Sequence, residues 1–181
     1  ADRGASAAIG NFDGVHLGHR HVIEIARAKG AEIGAPLGVL TFEPHPRSYF
    51  APDAPPFRLM SAEARANRLE KIGVARLYEI PFNAGLAALS PRAFAAEVLA
   101  EGLGLRHVVV GADFCFGKGR AGTATMLADY GAEMGFGVTI AGLLEAESGQ
   151  VSSTAIRRAL SRGAPQEAAE MLGHWHRIEG P

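Results

Sequence analysis

Five short apolar runs, each separated from the next by a helical stretch, dictate what this 181-residue chain folds into. They are Ala5 to Ile9, Leu37 to Phe42, Arg76 to Ile80, His107 to Val110 and Gly137 to Ile140, each the length of a buried strand. Between them, His19 to Lys29 sets Val22, Ile25 and Ala26 on one face and ends at Gly30. Ser61 caps a helix that carries Leu69 and Ile72 and stops at Gly73. Ser90-Pro91 starts a helix running through Val98 and Leu99 to about Gly102, and Thr125 to Met134 reads as another. Parallel neighbours need long right-handed crossovers. The alternation therefore predicts a single α/β domain, Rossmann-like and doubly wound, with a mostly parallel five-stranded sheet and helices on both faces. In such sheets ligands sit beyond the carboxyl ends of the strands, where strand order reverses, so the loops that follow strands carry the chemistry.

Charge narrows the function. Lys and Arg total 18 against 19 Asp and Glu, so no bulk field recommends nucleic acid or an anionic membrane, and a bound anion must be held locally. One cysteine excludes an internal disulfide framework and a Cys-rich zinc site and fits a reducing compartment. No apolar run approaches the roughly 20 residues that cross a bilayer. The first residues lack the basic and apolar regions of a signal peptide, so the chain is expected to be cytoplasmic or already trimmed.

The loop after the first strand reads Ile9-Gly-Asn-Phe-Asp-Gly-Val-His-Leu-Gly-His-Arg20 and runs straight into a helix. Gly10, Gly14 and Gly18 allow close backbone approach, and the helix start offers unpaired N–H groups and a positive dipole end to a phosphate. It is neither a Walker A loop nor a dinucleotide fingerprint. His16 and His19 lie three apart across the helix start, so both can face one phosphate as donors. Four positions alone would suit a surface loop whose histidines merely cap the helix; ten in a strand-to-helix context are far more specific.

The string Gly-Asn-Phe-Asp-Gly-Val-His-x-Gly-His resembles the FMN adenylyltransferase module of prokaryotic bifunctional FAD synthetases, in the nucleotidyltransferase superfamily with the His-x-Gly-His signature. The resemblance implies ATP contacts from Gly10, Asn11, Phe12, Gly14, His16, Gly18 and His19, with Asp13 bracing the turn. Val151-Ser152-Ser153-Thr154-Ala155-Ile156-Arg157 taken alone is an ordinary helix cap. In this company it is similar to the superfamily's Ser-Ser-Thr-x-x-Arg motif, which implies that Ser152, Ser153, Thr154 and Arg157 hold the β and γ phosphates. Catalysis is implied for His16, His19 and Arg157.

Two further loops follow strands. Thr41-Phe42-Glu43-Pro44-His45-Pro46 reads on its own as a rigid turn, and its resemblance to the family's Phe-x-Pro-His-Pro loop implies nucleotide or flavin contact from Phe42, Pro44 and His45. Gly111 to Thr123 holds Phe114 and Phe116, which suit a core, and it resembles the family's Gly-x-Asp/Asn-Phe-x-Phe-Gly loop. That implies flavin contacts from Asp113, Phe116 and Arg120. Cys115 reads as a packing residue.

The implied reaction is FMN plus ATP giving FAD and pyrophosphate. Mg²⁺ is expected with the triphosphate, held by phosphate oxygens and water rather than by dedicated protein ligands. Arg177-Ile178-Glu179-Gly180 resembles the entry to a riboflavin kinase module. The expected division is residues 1–163 as the adenylyltransferase domain and 164–181 as a linker helix and the start of that kinase module, a C-terminal kinase domain being the expected partner. Rival readings are another enzyme of the superfamily, acting on pantetheine phosphate or nicotinamide mononucleotide or using CTP, and a non-catalytic flavin or nucleotide sensor.

Overall fold

Glycine and proline set most of the element boundaries in the computed structural model, which describes residues 3–142, 145–146 and 149–176. β1 (Ser6–Ile9) leads into α1 (Leu17–Ile33), β2 (Leu37–Glu43), the short α2 (Pro46–Phe50), α3 (Ala62–Lys71) and β3 (Arg76–Pro81). Next come α4 (Ala84–Ala88) and α5 (Pro91–Ala93), the latter continuing as a π-helical coil over Phe94–Gly102. β4 (His107–Gly111), the hairpin strands β5 (Cys115–Phe116) and β6 (Gly122–Thr123), α6 (Ala124–Met134) and β7 (Gly137–Ala141) follow. A second hairpin, β8 (Glu145–Ala146) and β9 (Gly149–Gln150), precedes α7 (Ser153–Ser161) and α8 (Pro165–Leu172). Arg177 to Gly180, singled out above, lie outside the described residues.

Among the described residues the main sheet has five strands in the order β3-β2-β1-β4-β7, and every pairing in it is parallel. This is the predicted doubly wound fold. Strand alternation explains its two cores. Ala5, Ala7, Ile9, Leu40, Phe42, Val108 and Val110 face one side, where Phe94 and Leu99 of the π-helical coil and Leu127 of α6 cover them. Ala8, Leu37, Val39 and Val109 face the other, under Ile23 and Ala26 of α1 and Leu69 of α3. A third apolar cluster joins Ile156 and Ala159 of α7 to Ala168, Met171 and Leu172 of α8, with Leu59 packed into it.

One helix differs from the sequence expectation at both ends. α1 starts at Leu17, capped by His16, and runs past Gly30 to Gly34, whose φ of 61° is the left-handed stop. Gly30 serves packing instead: a Cβ there would lie 2.7 Å from the Ala35 carbonyl oxygen and 3.3 Å from Ser6 Cβ. Ser61, Ser90 and Thr123 cap α3, α5 and α6 through their side-chain oxygens.

Candidate active site

The crossovers leaving β1 and β4 run toward opposite edges of the sheet, so the carboxyl ends of these two neighbours bound the crevice where ligands sit in such folds. The loop after β1 enters this region in a strained conformation. Phe12, Gly14 and Val15 all have positive φ, at 51°, 89° and 43°. For the two non-glycine residues this costs about 1–3 kcal/mol each. Complete burial of the Phe12 and Val15 side chains offsets the strain.

Hydrogen bonds from distant segments then fix the loop. The Asn11 carbonyl accepts from Thr41 Oγ1 at 3.1 Å and from Arg65 Nη1 at 3.3 Å. The buried Asp13 carboxylate accepts from Leu59 N at 2.9 Å and from Arg157 Nη2 at 2.5 Å. Ser153 Oγ donates to the Asp13 carbonyl at 2.8 Å. Asp13 therefore ties the turn before α1 to the first turn of α7, and two helix N-termini meet at one loop. Neither first turn contains an acid. The combination favours a multiply charged anion.

Gly14 shows how tightly the loop is packed, since a Cβ there would lie 2.9 Å from Leu59 Cδ1 and 3.1 Å from Leu172 Cδ2. Gly14→Ala is expected to destabilise the chain by about 2–4 kcal/mol, from the positive φ and the overlap together. A denaturant titration checks this; an unchanged midpoint would contradict the described loop.

The histidines take up defined roles. His16 caps α1: its Nδ1 accepts from His19 N at 3.2 Å, which in the neutral ring puts the proton on Nε2 and makes that atom a donor. The His16 and His19 rings stack with centroids 3.6 Å apart, and Phe12 packs against His19 at 5.0 Å. His45 repeats the arrangement as the cap of α2, accepting from Arg47 N at 3.0 Å through Nδ1. It meets the Phe57 ring edge-on at 4.9 Å. Arg157 lies over that same ring, its Cζ 5.2 Å from the centroid, and its Nε donates to the Phe57 carbonyl at 2.6 Å. Phe57 thus links the second loop to the α7 arginine.

Burial holds all three histidines neutral. It is the main cause that brings His16 down to about 4, helped by Arg157, and it lowers His19, helped by the neighbouring His16. Burial likewise takes His45 to about 4; Asp13 opposes it, while Arg58, Arg157 and Arg65 act with it. A buried neutral histidine stabilises the fold fully above its unfolded pKa of about 6.5, and that contribution is lost as pH falls toward the folded value. Stability is expected to drop between about pH 6.5 and 4, by on the order of 3 kcal/mol for His16 and by less for the more solvent-screened His45. Urea titrations of the parent and of His45→Gln measure it; an equal acid loss in both would contradict this account of His45.

An ion network centred on a buried arginine adjoins the site. Arg65, fully buried, donates to Glu43 at 3.0 Å and to Glu79 at 2.7 Å, and Arg58 pairs with Glu43 at 2.7 Å. These links fasten α3 to the ends of β2 and β3.

The structure gathers His16, His19, His45, Ser152, Ser153 and Arg157 around Asp13. Ser152 Oγ is engaged as the α7 cap, accepting from Ala155 N, while Thr154 is exposed. The residues assigned to flavin divide. Phe42 and Phe116 point into the core, in ring contact with Phe94 at 6.3 and 5.6 Å, and so do not present themselves at an open edge. Pro44, Asp113 and Arg120 are exposed. Sequence reasoning missed a cluster beyond the ends of β2 and β3, where Tyr49, Phe50 and Phe82 stand within 5.1–5.7 Å of one another. Phe50 is 69% exposed, and Phe42 lies beneath Phe82 at 6.0 Å. The signal was the pair of rings in Arg47-Ser-Tyr-Phe50, next to two prolines.

Residues 1–155 match the family model described as FAD synthetase. The chain is 40% identical over 178 residues to the bifunctional riboflavin kinase/FMN adenylyltransferase of Pseudomonas fluorescens, a match covering 98% of this chain and 57% of that protein. It is 36% identical over 177 residues to the protein of the same description from Escherichia coli K12, covering 98% and 56%. A Streptococcus pneumoniae crystal structure described as a macrolide-efflux protein superposes with a TM-score of 0.82 at 29% identity, over 94% of this chain and 56% of that one. The chain spans little more than half the length of these curated relatives. No helix among the described residues is long and apolar enough to cross a membrane.

Proposed function

Because the chain belongs to the FAD synthetase family, we propose that it transfers the adenylyl group of ATP to FMN, giving FAD and pyrophosphate. The observation that carries this reading is the meeting of the α1 and α7 N-termini at Asp13, with neutral histidine donors and Arg157 around them. The FMN phosphate, itself a competent nucleophile, attacks the α-phosphorus of ATP in line. One P–O bond forms, and the bond to the β-phosphate oxygen breaks, its electron pair leaving with pyrophosphate. The protein needs no general base, only positioning and charge stabilisation.

In this reading Gly10, Asn11, Phe12, Gly14 and Gly18 shape the bed for the triphosphate. His16 Nε2–H and the His19 ring face the α and β phosphates as neutral donors. Arg157 uses two of its five N–H groups on Asp13 and Phe57, and so keeps donors for the leaving group. Ser152, Ser153 and Thr154 present the α7 N-terminus. Mg²⁺ enters as part of the nucleotide substrate, with phosphate oxygens and water as its ligands. The flat flavin ring is assigned to the platform of Tyr49, Phe50 and Phe82, with Phe42 and Phe116 as its support and with Pro44, His45, Asp113 and Arg120 at its rim. We place this activity in the cytoplasm, which supplies ATP. The riboflavin kinase activity named for the relatives is assigned to the part of their length beyond the match.

Offering FMN, nicotinamide mononucleotide and phosphopantetheine in parallel with MgATP tests the acceptor. FMN is expected to be adenylylated at least 100-fold faster than the others. Preference for another acceptor overturns the assignment to flavin, and consumption of none overturns adenylyl transfer.

A further inference from the structure

The segment after α8 turns back onto the phosphate loop. Gly173, with φ 71°, makes the turn, and a Cβ on it would lie 2.6 Å from Leu17 Cδ2, at the start of α1. His174 Nε2 then stands 3.1 Å from the Gly14 carbonyl oxygen, and His176 Nε2 stands 3.1 Å from the Leu59 carbonyl oxygen. A carbonyl only accepts, so His176 donates to Leu59; His174 has a carbonyl oxygen against each ring nitrogen, Trp175 O at 2.9 Å from Nδ1 and Gly14 O at 3.1 Å from Nε2, and it donates to Gly14 in the form that carries a proton on Nε2. Leu59 N–H in turn donates to Asp13 Oδ1, and Arg157 donates to Asp13 Oδ2. A continuous chain of hydrogen bonds therefore runs from His176 through Leu59 and Asp13 to Arg157. Beside it, His174 holds Gly14, which is one of the loop's three positive-φ positions together with Phe12 and Val15.

Resting on the adenylyl-transfer reading above, we propose that His174 and His176 are positioning residues that hold the nucleotide loop in its strained, phosphate-ready form. The unit needed for the reaction then extends through residue 176 instead of ending at 163. The loop stores strain and relaxes when an external restraint is removed. Reordering it is then a cost borne when ATP binds. Because the phosphates occupy the loop in both ground and transition states, the cost appears in KM and not in kcat.

The test compares the parent chain with His174→Ala, His176→Ala, the double variant, and a His174→Gln/His176→Gln pair whose Nε2 amides restore donors at the same reach. Losing one hydrogen bond is expected to raise KM for ATP about 5-fold, and losing both about 25-fold, with kcat within about 3-fold. Amide exchange at residues 11–19, which needs no substrate, is expected to speed up at least 10-fold in the double alanine variant. The glutamine pair is expected to return both readouts to within about 3-fold of the parent. Unchanged exchange and unchanged KM in the double alanine variant overturn the proposal, and so does a fall in kcat and melting temperature that glutamine does not rescue. A parent chain that makes no FAD defeats the reading beneath it, while the exchange measurement still decides whether the segment after α8 restrains the loop.

Discussion

Asp13→Ala is expected to lower the unfolding free energy by about 3–5 kcal/mol and kcat/KM by at least about 100-fold. The carboxylate is 1% exposed and its two oxygens serve different partners, Leu59 N and Arg157 Nη2. Removing it orphans a buried backbone N–H, worth about 1–3 kcal/mol, and strips the arginine of its counter-charge. It also cuts the link between the loop before α1 and the start of α7, where the phosphates are assigned. Asp13→Asn, which keeps an acceptor for Leu59 N, is expected to recover part of the stability and little of the activity. Denaturant titration and initial rates on the same preparations check both effects. In a double-mutant cycle with Arg157→Ala the losses are expected to be strongly sub-additive, and additive losses would show that the two side chains act independently.

His19→Ala is expected to behave in the opposite way, costing about 100- to 1000-fold in kcat with a stability change below about 1 kcal/mol. Its Nδ1 is buried without a hydrogen-bond partner among the described residues, so deleting the ring removes an unsatisfied atom along with the packing against Phe12 and His16. On the function proposed above, that ring serves the ligand and not the fold. Turnover within about 3-fold of the parent would remove His19 from the chemistry, and a large fall in melting temperature with kcat preserved would make it a packing residue.

Much of the fold was legible because it is written in local patterns. The five apolar runs are the five strands of the sheet, and Ser61 and Ser90 cap the helices that their spacing indicated. The two histidines of the first loop were legible for the same reason, being three residues apart at one helix start. The Arg157–Asp13 pair was not, because its partners lie 144 residues apart and meet only once α7 has docked. Arg65 carries no sequence signal because arginine is ordinarily exposed, yet here it is fully buried and paired with Glu43 and Glu79, whose carboxylates reach it from the surface. Phe42, a candidate flavin contact by its loop, shares the strand register of Leu40, so its ring packs in the core and reaches the loop end only through Phe82. Gly30 stood where a helix stop fits, and only the approach of α1 to β1 shows that its missing side chain serves packing.

On the proposed function, this loop and these helix ends move an adenylyl group from ATP to FMN. The most direct measurement follows isotope through that transfer, with the purified chain, Mg²⁺ and FMN, and with ATP labelled at either the α or the γ phosphorus. The expected result is α-label in FAD and γ-label in pyrophosphate, formed one to one and at least about 100-fold more slowly in Asp13→Ala. Label appearing as free AMP or inorganic phosphate while FMN is left unchanged would contradict the account.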